Sequence, residues 1–498
     1  MPVKRAVYIP PYMNATPFFP AWRSRLAPLG PRLREIHQAV KAFTLAQLEQ
    51  HFASVVPGDL FPKARRAVNS RDRIYTQERT FWCFLWQGLN PLASCRRIVR
   101  EVQSLFQLHG GRFVSEEDGA YCRARQRLPV AALRQALAAA AQESERRAPR
   151  TRFLQGRPVK VVDGTCVTLP DTPENREAYP KAKCQNRDTG FPLMRLVVIF
   201  SLASGAILSM LQGNLHTAEL RLFGLLLNTL EHGDIMIGDQ GFGHFVALML
   251  LQQLGVDFIA RSARKVDGRR GRRLGHNDWL VAWKKGGTCS AVVDPSEWDR
   301  WPDEVIVRIV RGSLYQPGFR VRQVTLVTTL LDPELYPALE ILQAYARRWR
   351  LEMCLDDLKT TLGMETLRCQ TPPMVEKEAL MHLISHNLIR WLMVQAVLQY
   401  EVDLERISFK GTLDALLEFS RAMAQARSQR KRQALWDELL RTLAADLVPR
   451  RPGRREPRAV KRKRNKYPRL NTPRQKFRDP PKRHERRKKA RRRLMVLK

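Results

Sequence analysis

Apolar residues recur at helical spacing from about residue 33 to residue 148. TQERTFWCFLWQGLN is followed by ASCRRIVREVQSLFQLHG, which stops at a glycine pair, and by VAALRQALAAAAQESERR. Between them, SEEDGAYCRARQRLP opens on a capping-box pattern, Ser115-x-x-Asp118, which predicts a helix start. The period changes near residue 157. RPVKVVDGTCVTL reads as a strand, a turn and a strand, and LMRLVVIFSLASG and AILSMLQGNL as two more joined at a Ser-Gly turn. TAELRLFGLLLNTLEHG then predicts a helix closed by Gly233, DIMIGDQGF a short buried strand, HFVALMLLQQLG a helix and VDFIARS a strand. Short alternating runs fill 262–335 (WLVAWKK, CSAVVD, VIVRIVRG, VRQVTLVTTLL), and helical spacing resumes from about 337 to 446.

Strands followed by alternating helix and strand predict an α/β fold, a mixed sheet covered by helices. The expected organisation is an irregular segment over 1–32, a helical DNA-binding domain over 33–150, the first part of a core over 151–261, a β-rich insertion over 262–335, the last part of the core with C-terminal helices over 336–448, and a tail over 449–498.

Charge narrows the function. The 498 residues hold 86 Lys and Arg against 48 Asp and Glu, a formal net charge of +38. Such an excess neutralises phosphates and releases counterions, which makes nucleic acid the expected partner. Residues 450–498 alone hold 24 basic and 3 acidic side chains and six prolines, with few apolar residues, so a disordered polyanion-binding tail is expected. No C-x-x-C pair joins the eight cysteines, which argues against a zinc ribbon or a thioredoxin-like site and for free thiols. No apolar run reaches the length of a membrane span and the N-terminus lacks a signal-peptide run, so a cytoplasmic protein without a membrane partner is expected. No Walker A motif is present, and His382 and His386, at i, i+4, lack the Glu of a zincin helix. Trp298 and Trp301 read better as packed residues than as base-stacking platforms.

Three acids stand out. Asp163 lies within the apolar run KVVDGT and Asp239 ends IMIGDQGF, positions where an unpaired charge costs several kcal/mol. In YARRWRLEMCLDDLK, ~100° per residue places Tyr345, Arg348, Glu352 and Lys359 on one stripe roughly 60° wide. Taken singly, each acid has a plainer reading, a strand-end cap or a salt-bridged helix surface. Taken together, acids from two strands and a helix could converge to hold Mg²⁺, and two such ions can drive phosphodiester cleavage.

The spacing Tyr345-(2)-Arg348-(3)-Glu352-(6)-Lys359 resembles the Y-R-E-K signature of DDE transposases of the insertion-sequence-four family. VVDGTCVTLPDTPENREAYP resembles the first-Asp region of that family, IMIGDQGFGHFVALMLLQQLGVDFIARS its second-Asp region, and KTTLGMETLRCQTPPMVEKEALMHLISHNLIRWLM the stretch after the Glu. The resemblance spans roughly residues 75–400. It implies an RNase H-like mixed-sheet catalytic core with a β-rich insertion before the catalytic Glu. It implies Asp163, Asp239 and Glu352 as catalytic metal ligands for two Mg²⁺ ions, Mn²⁺ being the alternative, and Tyr345, Arg348 and Lys359 as DNA contacts. It also implies cleavage at transposon terminal inverted repeats, joining of the 3′-OH to target DNA, a homodimer in the synaptic complex and a nucleoid-associated location. Gln240 departs from the Arg common after the second Asp. A catalytically inactive DNA-binding relic or repressor, or an RNase H-like nuclease that never joins strands, are the alternatives, separated by assays for metal-dependent cleavage and for joined products.

Overall fold

The computed structural model describes most of residues 74–449, with breaks at 92, 109–113, 150–152, 182–189, 263–270, 288, 290–291, 315–321 and 427, and scattered residues between 15 and 61. All but the first residue of the expected tail over 449–498 and most of the 1–32 segment lie outside the described residues.

Three antiparallel strands start the sheet: β1 (Val159–Thr168), β2 (Leu193–Ser201) and β3 (Ile207–Gly213). The β2–β3 turn closes through Gly205, whose φ of +71° suits a residue without a Cβ. Strands β4 (Ile235–Gly238) and β5 (Asp257–Arg261) run parallel to β1, linked by helix α7 (Phe245–Gln253), after the shorter helices α5 (Pro173–Ala178) and α6 (Glu219–Gly224). Strands β6 (Arg272–Gly275), β7 (Asp278–Lys284), β8 (Glu304–Leu314) and β9 (Arg322–Thr328) continue the same sheet, because β9 pairs with β5. The nine strands take the order β3-β2-β1-β4-β5-β9-β8-β7-β6.

Both faces of the sheet are covered. Val161, Leu196, Val198, Ile235 and Ile237 pack on helices α1 (Gln77–Leu89), α2 (Cys95–Leu108), α3 (Gly119–Gln126) and α4 (Val130–Arg147) together with α11 (Pro372–Tyr400), α12 (Phe409–Gln425) and α13 (Gln429–Ala445). On the other face Val162, Val197, Ile199 and Phe258 pack on α6, α7 and the rings of Trp283, Trp298 and Trp301. Helix α11 has no single apolar face because nearly all of its circumference is buried. It begins at Pro372, whose missing N–H costs nothing there, and lies against Ala136, Leu137 and Ala140 of α4. Its buried Asn387 accepts from the Ile207 N–H at 2.8 Å and donates to the Ile207 carbonyl at 2.8 Å, so a side chain serves the outer edge of β3. Among the described residues no helix is long and apolar enough to cross a membrane.

Several expectations need correction. There is no turn at Gly164; β1 runs straight through it, and the glycine instead admits the Glu219 carboxyl, whose atoms would lie 2.6–2.9 Å from a Cβ there. The Ser115 capping box does not form. Helix α3 starts at Gly119, and the Ser115 hydroxyl accepts from the Glu117 N–H, two residues on, which spends the cap on a turn. The helix expected up to Gly233 stops at Gly224 and resumes only as a 3₁₀ turn, Leu227–Thr229. Within CSAVVD no strand is described. Its last residue, Asp294, caps the short helix α8 (Pro295–Arg300) by accepting from the Ser296 N–H at 2.9 Å. Trp298 and Trp301, by contrast, are packed as expected, buried against Phe245 with their rings 5.7 Å apart.

Candidate active site

Strand register brings the first two acids together. Val161 of β1 pairs in parallel with Ile237 of β4, and both side chains enter the same core. Asp163 and Asp239 each follow two residues later, so the period of two places both carboxylates on that same face of neighbouring strands. Asp239 comes immediately after β4, where its Oδ1 accepts from the Gly241 N–H at 2.7 Å. Asp163 stays inside β1, and its Oδ1 accepts from the Gly164 N–H at 2.8 Å.

The third acid arrives on the helical segment that follows the sheet. Here the sequence expectation of one continuous helix fails. The segment divides into α9 (Ala338–Arg347) and α10 (Trp349–Asp356), joined at Arg348, and then widens into a single π turn, Asp357–Thr361. Such turns recur at functional sites. Leu351, Cys354 and Leu355 anchor α10 in the core below the sheet face that carries Asp163. Glu352 is left partly exposed.

Arg348 ties the group together. Its Nη2 lies 2.9 Å from Glu352 Oε1, and its Nη1 lies 3.7 Å from Asp163 Oδ2. Its guanidinium also sits 5.8 Å from the centre of the buried Tyr345 ring. With Arg348 between them, the three carboxylates do not all come within 4.8 Å of one another. Burial pushes the Asp163 carboxyl up to about 6. Arg348 and the Gly164 N–H oppose that shift, and the like charges of Asp239 and Glu352 reinforce it. Burial works against the charge of Arg348, but Tyr345, Glu352 and Asp163 outweigh it and hold its pKa above the ordinary value. Burial raises the Tyr345 hydroxyl as well.

The structure therefore gathers Asp163, Asp239, Tyr345, Arg348 and Glu352. Lys359 lies further along, half-buried in the π turn, and joins none of the contacts described above. The oxygen-only donor set of Asp163, Asp239 and Glu352 suits a hard divalent cation, and the mutual repulsion felt at Asp163 is what such a cation relieves. His382 and His386 form no metal pair; His386 is fully buried between the rings of Phe200 and Phe409.

Residues 154–388 match the family model described as a transposase DDE domain, a span that contains all six of these positions. The transposase InsG of insertion sequence element IS4 from Escherichia coli (strain K12) is 25% identical over 414 residues, which cover 80% of this chain and 88% of that one. These matches make the chain a transposase, similar over most of its length to that of insertion sequence element IS4. Among solved structures, a piggyBac transposase synaptic complex with hairpin DNA overlays 82% of this transposase and 85% of its own chain at 8% identity, with a TM-score of 0.37. A pre-cleavage Mos1 transpososome overlays 46% of this transposase and 78% of its own chain at 13% identity, with a TM-score of 0.15.

Two acids of the transposase escaped sequence reading. Glu219 lies against Gly164 but on the opposite sheet face from Asp163, paired with Arg195 at 3.5 Å. Asp278 forms a fully buried pair with Arg308, which also donates to the carbonyls of Leu330, Asp332 and Tyr336 just before α9. Each joins residues distant in sequence, so no local motif marks it.

Proposed function

We propose that Asp163, Asp239 and Glu352 hold divalent cations, Mg²⁺ by donor chemistry, and that the transposase uses them to cut DNA at the ends of its element and to join the freed 3′-OH to target DNA. The observation that carries this reading is the parallel register of β1 and β4, which sets Asp163 beside Asp239, with Glu352 linked to Asp163 through Arg348. The order β3-β2-β1-β4-β5, three antiparallel strands followed by two parallel ones, supports an RNase H-like core with β6–β9 as its insertion. Two Mg²⁺ ions held by these three carboxylates would supply activation of the attacking oxygen and stabilisation of the leaving one.

The chain's own residues have distinct tasks in this reading. Arg348 neutralises Asp163 and Glu352 before cations bind, then releases them and turns to the phosphate of the strand being cut. Tyr345 presents its hydroxyl to the same strand, and Lys359 binds the backbone beside it. Arg96, Arg100, Arg123 and Arg127 stand exposed on α2 and at α3, which supports a DNA-binding role for the helical region. Two ends held together call for a homodimer on DNA.

The test uses linear DNA carrying the coding region with its native flanks, incubated with Mg²⁺ or with EDTA. Nicks at the element ends are expected only with Mg²⁺. Glu352→Gln is expected to keep DNA binding and lose both nicks and joined products. A Glu352→Gln protein that cuts at the wild-type rate would overturn the assignment.

A further inference from the structure

A second cluster of ligand atoms lies in the helical region, away from the three acids. Cys95 is the first residue of α2, Asp118 directly precedes α3 without capping it, and Cys122 follows one turn into α3 on the same side as Asp118. The two sulfurs and a carboxylate oxygen of Asp118 all lie within 4.8 Å of one another, and all three side chains are half-buried. Among the described residues no other group of three such ligands is as close. The cluster opens on a cavity of about 470 Å³ between α1, α3 and the start of α11.

The surroundings are built for thiolate. Gln87 Nε2 donates to Cys95 Sγ at 3.8 Å, and Arg125 Nη2 donates to Cys122 Sγ at 3.8 Å. Gln87 is itself fixed, since its Oε1 accepts from the Tyr121 hydroxyl at 3.0 Å. His382 lines the same cavity, and its buried Nδ1 has no hydrogen-bond partner.

We infer that Cys95, Asp118 and Cys122 form a binding site for a thiophilic divalent cation of the Zn²⁺ class, which ties α2 to α3 and leaves a fourth position facing the cavity. Two sulfurs and one carboxylate oxygen are a zinc donor set, unlike the all-oxygen set of the three acids. Zn–S bonds of about 2.3 Å in a tetrahedral site put ligand atoms roughly 3.5–3.8 Å apart, so the cluster needs to close by only about 1 Å. Binding displaces the protons of both thiols to solvent, and no electrons are exchanged.

The test titrates the full-length reduced protein, stripped of metal, with Co²⁺. About one ion per chain is expected, with thiolate-to-cobalt charge-transfer absorption that added Zn²⁺ abolishes. Cys95→Ser and Cys122→Ser should each remove this absorption, while Glu352→Gln should keep it. The unmutated protein gives a second readout that needs no variant to fold. Zn²⁺ should slow iodoacetamide labelling of Cys95 and Cys122 but not of Cys166 on β1, read by peptide mass spectrometry. Absence of the absorption in folded protein, its survival in Cys122→Ser, or equal labelling with and without Zn²⁺ would each overturn the inference.

Discussion

Asp163 is where charge and chemistry meet most closely. Its carboxyl, ordinarily near 3.8, stands at about 6 in the fold, so the folded chain binds that proton more tightly than the unfolded chain does. In the absence of metal this group therefore costs the fold stability as pH rises from about 3.8 through about 6. A cation needs the ionised form and competes with the proton below that point. Mg²⁺ should raise the thermal midpoint most at neutral pH, and the increment should shrink as pH falls through about 6. An increment of the same size on both sides, measured by scanning fluorimetry, would remove Asp163 from the ligand set. The acid was legible in the sequence because a lone charge inside KVVDGT demands compensation. What compensates it was less legible. Arg348 was placed by spacing beside Glu352, whereas its bridge to Asp163 spans 185 positions and follows only from the tertiary fold.

At the scale of elements, the register between β1 and β4 carries the site, and a glycine at the end of β4 protects it. A Cβ at Gly238 would lie 2.8 Å from the Cβ of Phe242, a contact that rotation about χ1 cannot relieve. Gly238→Ala should therefore push the Asp239 turn away from β1 and cost about 1–3 kcal/mol by overpacking, measured by urea denaturation, with a larger proportional loss in DNA cleavage. An unchanged midpoint would mean that the turn yields freely. Strands and long helices were readable because their periods are strong. Their interruptions were not: Gly164 looked like a turn and is a point of close approach, and the Y-R-E-K stripe looked continuous and breaks at Arg348. Cys95, Asp118 and Cys122 were invisible as a group because they lie on two helices with no fixed spacing between them.

Across the whole molecule, the buried Arg308–Asp278 pair joins the far half of the sheet to the approach of α9. Arg308 is fully buried and spends its donors on one carboxylate and three carbonyls, so each group depends on the others. Asp278→Ala should destabilise the protein by about 3–5 kcal/mol, since it strands a buried guanidinium. The double change Asp278→Leu with Arg308→Met should recover most of that loss in the same denaturation assay. A single variant as stable as the parent would show that solvent reaches the pair. The helices lead to a different consequence. Lys377 of α11 donates to the Gln126 carbonyl, Arg134 of α4 pairs with Glu376, and Asn387 donates to the Leu137 carbonyl, each across more than 240 positions. Helices α3 and α4 thus leave the ribosome long before α11 arrives. At about 5–20 residues per second that wait is roughly 10–50 s, during which the flank of α4 that will face α11 stays uncovered in the nascent chain.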